Sequence, residues 1–271
     1  FQIEAETNFK VCRLIAPKNL EQLSAVVAIA RPGALDFKDR YADYVKSGEF
    51  QSVHEFFDDI LSYTGGIPLY QEQLMKMAVK VGFTLDEAEQ LRRIVGKKKV
   101  DKMPAWKARI EDKIQENKLD PTIGDVLWRV AEDSANYSFN KSHSISYAHL
   151  AAITVYLKFT YPQEFFLSLL KYAKFEPNSH EEIAKISQEL SHFDIKLLPP
   201  DLNKSDIDFK IEGKNIRYGL NSIKGVSTKV LQSLLDFREE SFSNKYEVFL
   251  SGKQAGLNIG TLSALIQAGL L

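Results

Sequence analysis

Residues 84–96 have the sequence TLDEAEQLRRIVG, which contains the start, the body and the end of an amphipathic helix. Thr84 and Glu87 stand at the T-x-x-E spacing of a capping box, in which each side chain satisfies a backbone amide of the first turn. Gly96 is a typical stop, because glycine readily adopts the left-handed conformation that ends a helix. The apolar residues between these signals recur at the spacing of one helix face, namely Leu85, Ala88, Leu91 and Val95.

Helix signals of the same kind continue on both sides of this stretch. An earlier apolar stripe consists of Leu74, Met77, Ala78 and Val81. Pro104 and the pair Asp120-Pro121 are typical of a first helical turn, and apolar residues follow each of them at helical spacing. Further helices are predicted from about Ser144 to Thr160, from Pro162 with Phe165, Phe166, Leu169 and Leu170 inward, and from Asn178 or Ser179. Residues 1–197 therefore predict an all-helical bundle.

The pattern changes after Phe193. Residues 195–198 predict a short strand that ends at Pro199-Pro200, and residues 207–211 and 216–220 predict a β-hairpin around Gly213. A helix with Val230, Leu231, Leu234 and Leu235 inward is predicted to follow. The fold class is therefore mainly α, with a small α+β segment over residues 198–271.

Composition places the chain among ordinary globular proteins. It has 271 residues, of which 44% are hydrophobic and 26% charged, and 35 Lys and Arg against 36 Asp and Glu give a formal net charge of −1. No apolar run approaches the ~18–20 residues that span a bilayer, so no membrane partner is expected. The single cysteine, Cys12, excludes an intramolecular disulfide framework and a Cys/His zinc site. The near-zero total charge taken alone disfavours a nucleic-acid partner.

The local charge is very different between Leu91 and Arg109. This stretch has one acidic residue, Asp101, and eight basic ones: Arg92, Arg93, Lys97, Lys98, Lys99, Lys102, Lys107 and Arg109. Arginine binds phosphate oxygens in pairs and lysine acts as a mobile point charge, so the cluster is a candidate phosphate site. A solvated basic face favoured by the helix dipole explains the same residues, and both interpretations stay open.

Two further stretches combine polar donors with aromatic rings. Residues 137–144, YSFNKSHS, directly precede the long apolar helix, whose first amides are a potential anion site. The alternative is that Ser142 or Ser144 only caps the helix and that His143 is a satisfied first-turn residue. Residues 70–73, YQEQ, start a helix and either contact bases or sugars or only decorate it. Arg31 lies in a predicted turn, where it is available to a charged partner.

No catalytic centre is predicted from these residues. Ser142 and His143 are sequence neighbours without a G-x-S-x-G elbow, so a serine hydrolase is disfavoured. Asp206 and Asp208 fall on the solvent face of the hairpin, and no metal site is expected. From the residues alone, the chain is a phosphate-binding helical module.

Seven motifs, in this order along the chain, indicate a known family. They are FQIE at residues 1–4, ARPG at 30–33, GIPLYQEQ at 66–73, LRRIVGKKK at 91–99, FNKSHS at 139–144, LPPDLN at 198–203 and YGLNSIKGV at 218–226. Together they closely resemble the fingers region and the following helix-hairpin-helix segment of the C family of DNA polymerases, the alpha subunits of bacterial DNA polymerase III. The resemblance covers essentially the whole chain.

The resemblance implies a role for each matching residue. Residues 1–197 correspond to the polymerase fingers, which close on the incoming deoxynucleoside triphosphate. Arg92, Arg93, Lys97 and Lys98 are expected to bind its β- and γ-phosphates. A second wall of the nucleotide pocket is expected from Asn140, Lys141, Ser142 and His143. Supporting positions are Tyr70, Gln71 and Gln73, with Arg31 near the junction to the palm.

The resemblance also implies contacts to duplex DNA and a larger protein. Residues 198–271 correspond to a β-hairpin and helix-hairpin-helix segment, with the first hairpin at Lys224, Gly225, Val226 and Ser227 and the second over 257–271, which includes Gly260 and Gly269. The family's palm aspartates, which hold two Mg²⁺ ions, are expected before Phe1, so this chain is expected to bind no metal and to be inactive alone. The implied partners are the nucleotide, primer-template DNA, a sliding clamp and other replisome subunits, in the cytoplasm.

Two other classes of function remain open at this stage. One is a non-catalytic module that binds DNA without reading its sequence, through hairpin amides that contact phosphates. The other is a helical protein-interaction scaffold with a basic face. Nucleotide binding separates the polymerase hypothesis from both, and salt-dependent DNA binding separates the two alternatives from each other.

Overall fold

The computed structural model describes residues 2–97, 103–238 and 244–270 of the chain, and helices dominate them. The predicted mainly-α fold class with a small α+β segment is therefore confirmed. The chain divides into two compact units, Phe1–Thr154 and Val155–Leu271. The predicted boundary between residues 197 and 198 separates family domains rather than compact units, and it stays a prediction.

The first unit consists of helices packed around two hydrophobic cores. Its helices are α1 (Glu6–Ile15), α2 (Leu20–Ile29), α3 (Lys38–Ser47), α4 (Asp58–Leu61), α5 (Gln71–Val81), α6 (Leu85–Gly96), α7 (Met103–Glu116), α8 (Pro121–Tyr137) and the start of α9 (Lys141–Thr160). One core is formed by residues of helices α4 to α8 and includes Leu74, Leu91, Trp106 and Leu127. The other joins α1, α2 and α3 to Ile67, Leu69, Tyr70 and Tyr137.

Two predicted helix starts of the first unit, those of α6 and α8, are the ones observed. Thr84 Oγ1 accepts from Glu87 N at 3.3 Å and Glu87 Oε2 accepts from Thr84 N at 2.9 Å, which is the predicted capping box of α6. Asp120 Oδ1 accepts from Thr122 N at 2.8 Å, and Pro121 is the first residue of α8. These ends depend only on neighbouring residues, which explains why the sequence alone predicts them.

The second unit combines helices with a three-stranded sheet. Its helices are α10 (Pro162–Ala173), α11 (Ser179–Leu190), α12 (Leu231–Arg238), α13 (Lys245–Gln254) and α14 (Ile259–Gln267), and its strands are β1 (Leu197–Leu198), β2 (Lys210–Glu212) and β3 (Asn215–Arg217). The strand order is β1-β3-β2. Strands β2 and β3 form the predicted hairpin, antiparallel with Ile211 opposite Ile216, and β1 pairs with β3 in parallel.

Three details differ from the predictions. The strands are shorter, because β3 ends at Arg217 and a short 3-10 helix begins at Leu220. It directly follows Gly219, where a Cβ would lie 2.6 Å from the backbone of Asp208 and Phe209. Leu169 is exposed, not inward, because α10 packs on α11 and the sheet through Phe166 and Leu170. Finally, α9 begins three residues before the predicted start. Among the described residues, no helix is both long and apolar enough to cross a membrane.

Candidate phosphate-binding site

Two of the predicted stretches pair directly in the first unit. Phe139 N donates to Leu69 O at 3.0 Å and Gln71 N donates to Phe139 O at 2.9 Å, so Tyr70 and Phe139 form a short parallel bridge. Because α5 and α9 begin just after these residues, their N-termini are held side by side. Two motifs that are about seventy residues apart in the sequence therefore belong to one site.

The first amides of α9 are satisfied by protein groups. The Glu72 carboxylate accepts from Lys141 N at 3.0 and 3.1 Å, and Asn140 Oδ1 accepts from His143 N at 2.8 Å. The expectation that Ser142 or Ser144 caps this helix is therefore wrong. Asn140 is the cap, and that is why the helix begins earlier than predicted.

The two serines after Asn140 have different surroundings. The Ser144 side chain is buried, 2.8 Å from the hydroxyl of Ser24 on α2. Ser142 is exposed, as is His143, whose ring lies 4.5 Å from that of Tyr147 and 5.4 Å from that of Phe139. The exposed side chains of this stretch are thus the ones that remain accessible to a ligand.

The ammonium group of Lys141 lies next to a carboxylate and two aromatic rings. Its Nζ lies 3.0 Å from the Glu21 carboxylate and 4.6 and 5.6 Å from the ring centroids of Tyr63 and Tyr70. Burial raises the pKa of Tyr70 to about 12, and hydrogen bonds from the Ser24 and Ser144 hydroxyls oppose that rise. Both phenols therefore stay neutral at physiological pH, and Lys141 is held as a partly exposed cation.

The predicted supporting residue Gln73 is fully buried and connects three segments. Its Oε1 accepts from Tyr70 N at 2.8 Å, while its Nε2 donates to Thr64 Oγ1 at 2.7 Å and to Ile60 O at 3.2 Å. All of these partners belong to the protein interior. Gln73 therefore shapes the start of α5 and does not face a ligand.

Arg92 on α6 is held by two side chains. Its Nε and Nη2 donate to the two oxygens of Glu89, each at 2.6 Å, and its Nη1 donates to Gln71 Oε1 at 2.9 Å. Glu89 also accepts from Arg93 Nε at 2.8 Å. These hydrogen bonds from Arg92 and Arg93 lower the pKa of Glu89 to about 2. Arg93 itself is largely exposed, at 67%.

The rest of the basic stretch is not one continuous surface of unpaired charge. Arg109 pairs with Glu87 at 2.5 Å and stacks 4.0 Å from the centroid of Trp106. Lys97 and Lys107 are exposed. The remaining predicted phosphate ligand, Lys98, lies outside the described residues, as do Lys99, Asp101 and Lys102.

Arg31 completes a chain of contacts across four motifs. Its guanidinium carbon lies 4.5 Å from the ring centroid of Phe139, an attractive cation–π arrangement. Phe139 bonds through its backbone to Gln71, and Gln71 bonds through its side chain to Arg92. The structure thus brings together residues from ARPG, YQEQ, LRR and FNKSHS, and several of their cations are exposed enough to meet an anion.

Several polar residues of this site are not among the predicted ones, and Glu89, Ser24 and Glu72 are examples. Glu89 precedes the two arginines by three and four positions, the spacing at which helix side chains meet, so its pairing was foreseeable. Ser24 interrupts the apolar run of α2, which marks a buried polar contact. Glu72 gave no such signal, because its partner, Lys141 N, is distant in the sequence.

The second unit contains the predicted first hairpin. Gly225 has φ +93°, and Val226 N donates to Ile223 O at 3.1 Å, which closes a tight turn. Lys224 and Ser227 are exposed, whereas the Val226 side chain packs in the core of this segment.

A second hairpin over 257–271 stays a prediction. Just before that range a turn at Gly256, which has φ +87°, joins α13 to α14, and Gly260 lies inside the first turn of α14. Asn258 Oδ1 accepts from Thr261 N at 2.8 Å and caps α14. The turns at Gly225 and Gly256 both use left-handed backbone, which glycine adopts readily.

The donor set that a polymerase metal pair needs is not found in the described part of the chain. No group of three or more His, Cys, Asp or Glu residues converges there. Asp208, one of the aspartates considered above, instead accepts from Asn221 Nδ2 and from Lys174 Nζ, and its pKa is lowered despite burial.

Comparison with known proteins gives one family match within each unit. Residues 1–118 match the family model for the finger domain of the bacterial DNA polymerase III alpha subunit, and residues 194–271 match a helix-hairpin-helix motif. The chain is similar to DNA polymerase III subunit alpha of Thermus aquaticus (33% identical), Aquifex aeolicus (34%) and Campylobacter jejuni (36%). These matches cover 99–100% of the chain but only 23% of each relative.

The fold and these matches define a polymerase finger domain followed by a helix-hairpin-helix segment. The chain is homologous over its whole length to the alpha subunits of bacterial DNA polymerase III, which confirms the family that its seven ordered motifs predict.

Proposed function

We propose that this chain is the part of a replicative DNA-directed DNA polymerase that binds the triphosphate of the incoming deoxynucleotide and contacts duplex DNA. The proposal assigns to the full-length protein the polymerase activity that the names of its relatives state. The chain spans 23% of the length of these relatives. The observation that carries it is the contact chain from Arg31 through Phe139 and Gln71 to Arg92. A basic face with no function would not require four separate motifs to meet.

Arg92 and Arg93 are the principal phosphate ligands in this proposal. A guanidinium has five N–H groups, and the three described hydrogen bonds of Arg92 leave two for a ligand. Arg93 is mostly exposed, and Lys97 and Lys98 follow directly. These cations hold the β- and γ-phosphates and stabilise the charge that develops as pyrophosphate leaves.

Asn140, Lys141, Ser142 and His143 form the second wall of the pocket. The ammonium group of Lys141 is held by Glu21 and two tyrosines. It therefore contributes positive potential from a fixed position. Ser142 and His143 offer exposed polar side chains at the same helix start. Tyr70, Gln71, Gln73 and Arg31 hold this wall against α6.

The hairpin turns at Gly225 and Gly256 contact duplex phosphates through backbone amides, without reading the sequence. Lys224 and Ser227 add exposed side chains to the first turn. The full-length protein uses Mg²⁺ at palm aspartates outside this chain, and it works with primer-template DNA, a sliding clamp and other replisome subunits in the cytoplasm. No step is assigned to a metal within the described residues.

The test is the double change Arg92→Ala/Arg93→Ala in the full-length protein. The nucleotide KM is expected to rise, or kcat to fall, by at least ~10-fold, since a charged hydrogen bond contributes about 1.5–3 kcal/mol. The Kd for primer-template is expected to change by less than about twofold, because these residues contact the triphosphate and not the duplex. Steady-state incorporation and fluorescence anisotropy provide the two measurements.

Lys107→Ala is the matched control, since Lys107 is an exposed residue of the same basic stretch, outside the contact chain. It is expected to leave nucleotide kinetics unchanged. Unchanged nucleotide kinetics in the double variant would reject the phosphate assignment. That result would favour the alternative function, a non-catalytic and sequence-independent DNA-binding module, which the helix-hairpin-helix match supports.

A further inference from the structure

A single carboxylate contacts both arginines of the Arg-Arg pair. Glu89 Oε1 lies 2.6 Å from Arg92 Nη2 and 2.8 Å from Arg93 Nε, and Glu89 Oε2 lies 2.6 Å from Arg92 Nε. Consecutive residues of an α-helix project about 100° apart, so Arg92 and Arg93 do not meet by default. Their shared acceptor brings two mutually repelling guanidiniums to one place.

The orientation of Arg92 is fixed from a second helix as well. Its Nη1 donates to Gln71 Oε1 at 2.9 Å, and the backbone of Gln71 is itself bonded to Phe139 O at 2.9 Å. Glu89 occupies the Nε–Nη2 edge of the guanidinium and Gln71 one proton of Nη1. The two N–H groups that remain have a defined direction, because the plane of the guanidinium is held on two sides.

We propose that Glu89 is a positioning residue that assembles Arg92 and Arg93 into a preorganised clamp for the triphosphate. The proposal rests on the proposed function, because it assumes that the arginines bind phosphate. Glu89 does not touch the substrate. Its single negative charge faces two positive ones, so the pair of arginines stays net positive after the pairing.

The same contacts allow the opposite role, in which the Glu89 carboxylate competes with phosphate for Arg92. The geometry favours positioning, because Glu89 takes one edge of the guanidinium and leaves two donors elsewhere. A ligand can therefore bind without displacing it. The low pKa of Glu89, about 2, keeps the carboxylate ionised at every pH where a polymerase is assayed.

The experiment compares Glu89→Ala and the nearly isosteric Glu89→Gln in the full-length protein, each alone and combined with Arg92→Ala/Arg93→Ala. Glu89→Ala alone is expected to raise the nucleotide KM by about 5–10-fold, with the primer-template Kd unchanged. Glu89→Gln is expected to raise it less, because an amide oxygen still accepts one hydrogen bond. Added to the arginine variant, either change is expected to alter KM by less than about twofold.

Gln90→Ala is the control, because Gln90 is the exposed neighbour of Glu89 on the same helix and is expected to change nothing. A KM that is unchanged or lower in Glu89→Ala overturns the positioning role, as does a full additional effect in the absence of both arginines. Unchanged nucleotide kinetics in the Arg92→Ala/Arg93→Ala variant would instead reject the proposed function. Thermal melting of each variant separates these outcomes from unfolding, and Glu89→Gln remains informative if Glu89→Ala does not fold.

Discussion

The amide of Gln73 makes three hydrogen bonds in a fully buried position: it accepts from Tyr70 N and donates to Thr64 Oγ1 and Ile60 O. Buried polar groups that lose a partner cost far more than exposed ones, because they cannot be resolvated. The motif that contains Gln73 suggests a role at the nucleotide site. The contacts show that this residue acts through the position of Tyr70 and α5.

At this scale we predict that Gln73→Ala lowers the free energy of unfolding by about 2–4 kcal/mol, since it leaves buried donors and acceptors unpaired. Urea denaturation of the chain, followed by circular dichroism, measures the loss. Lys76→Ala, an exposed change on the same helix, is the control and is expected to stay within about 0.5 kcal/mol of the wild type. Equal stability of the two variants would contradict the central role of Gln73.

At the scale of elements, helix caps and glycine turns set where the helices begin and how they connect. The capping box of α6, the Asp120 cap of α8 and the Asn258 cap of α14 each satisfy amides that a helix leaves open. The first hairpin depends on one glycine in the same way. Gly225 has φ +93°, and a Cβ there would lie 3.1 Å from the Cβ of Ala264 on α14.

We therefore predict that Gly225→Ala destabilises the chain by about 1–3 kcal/mol, because an L side chain disfavours this backbone conformation and also crowds Ala264. Gly96→Ala is the matched control, and its effect on the free energy of unfolding is expected to have the opposite sign. Gly96 ends α6 without positive φ and with open space around it, so alanine is expected to stabilise by up to ~1 kcal/mol. Thermal melts that show the same sign for both variants would refute this explanation.

On the scale of the molecule, the chain consists of two compact units with distinct chemistry. The first contains the contact chain from Arg31 to Arg92, and the second contains the small sheet and the left-handed glycine turns at Gly225 and Gly256. The chain spans 23% of the length of its relatives, and no group of three or more His, Cys, Asp or Glu residues converges among the described residues. Binding and polymerisation are therefore expected to be separable.

For residues 1–271 alone we predict binding to duplex DNA that weakens steeply with salt and does not depend on sequence, because it uses phosphate contacts. The same preparation is expected to give no Mg²⁺-dependent primer extension, since the family resemblance assigns the Mg²⁺-binding aspartates to the palm and not to these residues. Fluorescence anisotropy at several salt concentrations and a gel-based extension assay test the two parts. Incorporation above a contaminant control would show that the chain holds its own catalytic groups.

The amino-acid sequence by itself determined the helices, the hairpin and the family of this protein. Periodicity, capping boxes and proline or glycine at helix ends are local signals, so they predict α6 and α8 without knowledge of the fold. The same locality explains the errors. The start of α9 depends on Asn140 and Glu72 together, and Glu72 reaches it only through the fold.

Only the tertiary structure decided which charges are paired and which residues form one site. Arg92 and Arg109 look alike in the sequence, yet one is held by Glu89 and Gln71 at the contact chain and the other pairs with Glu87 and stacks on Trp106. These pairings join helices that are distant along the chain, and packing of the hydrophobic cores sets the distances between them. Side-chain chemistry is local, but whether cations from separate motifs come together, as the proposed phosphate site requires, depends on how the molecule is packed.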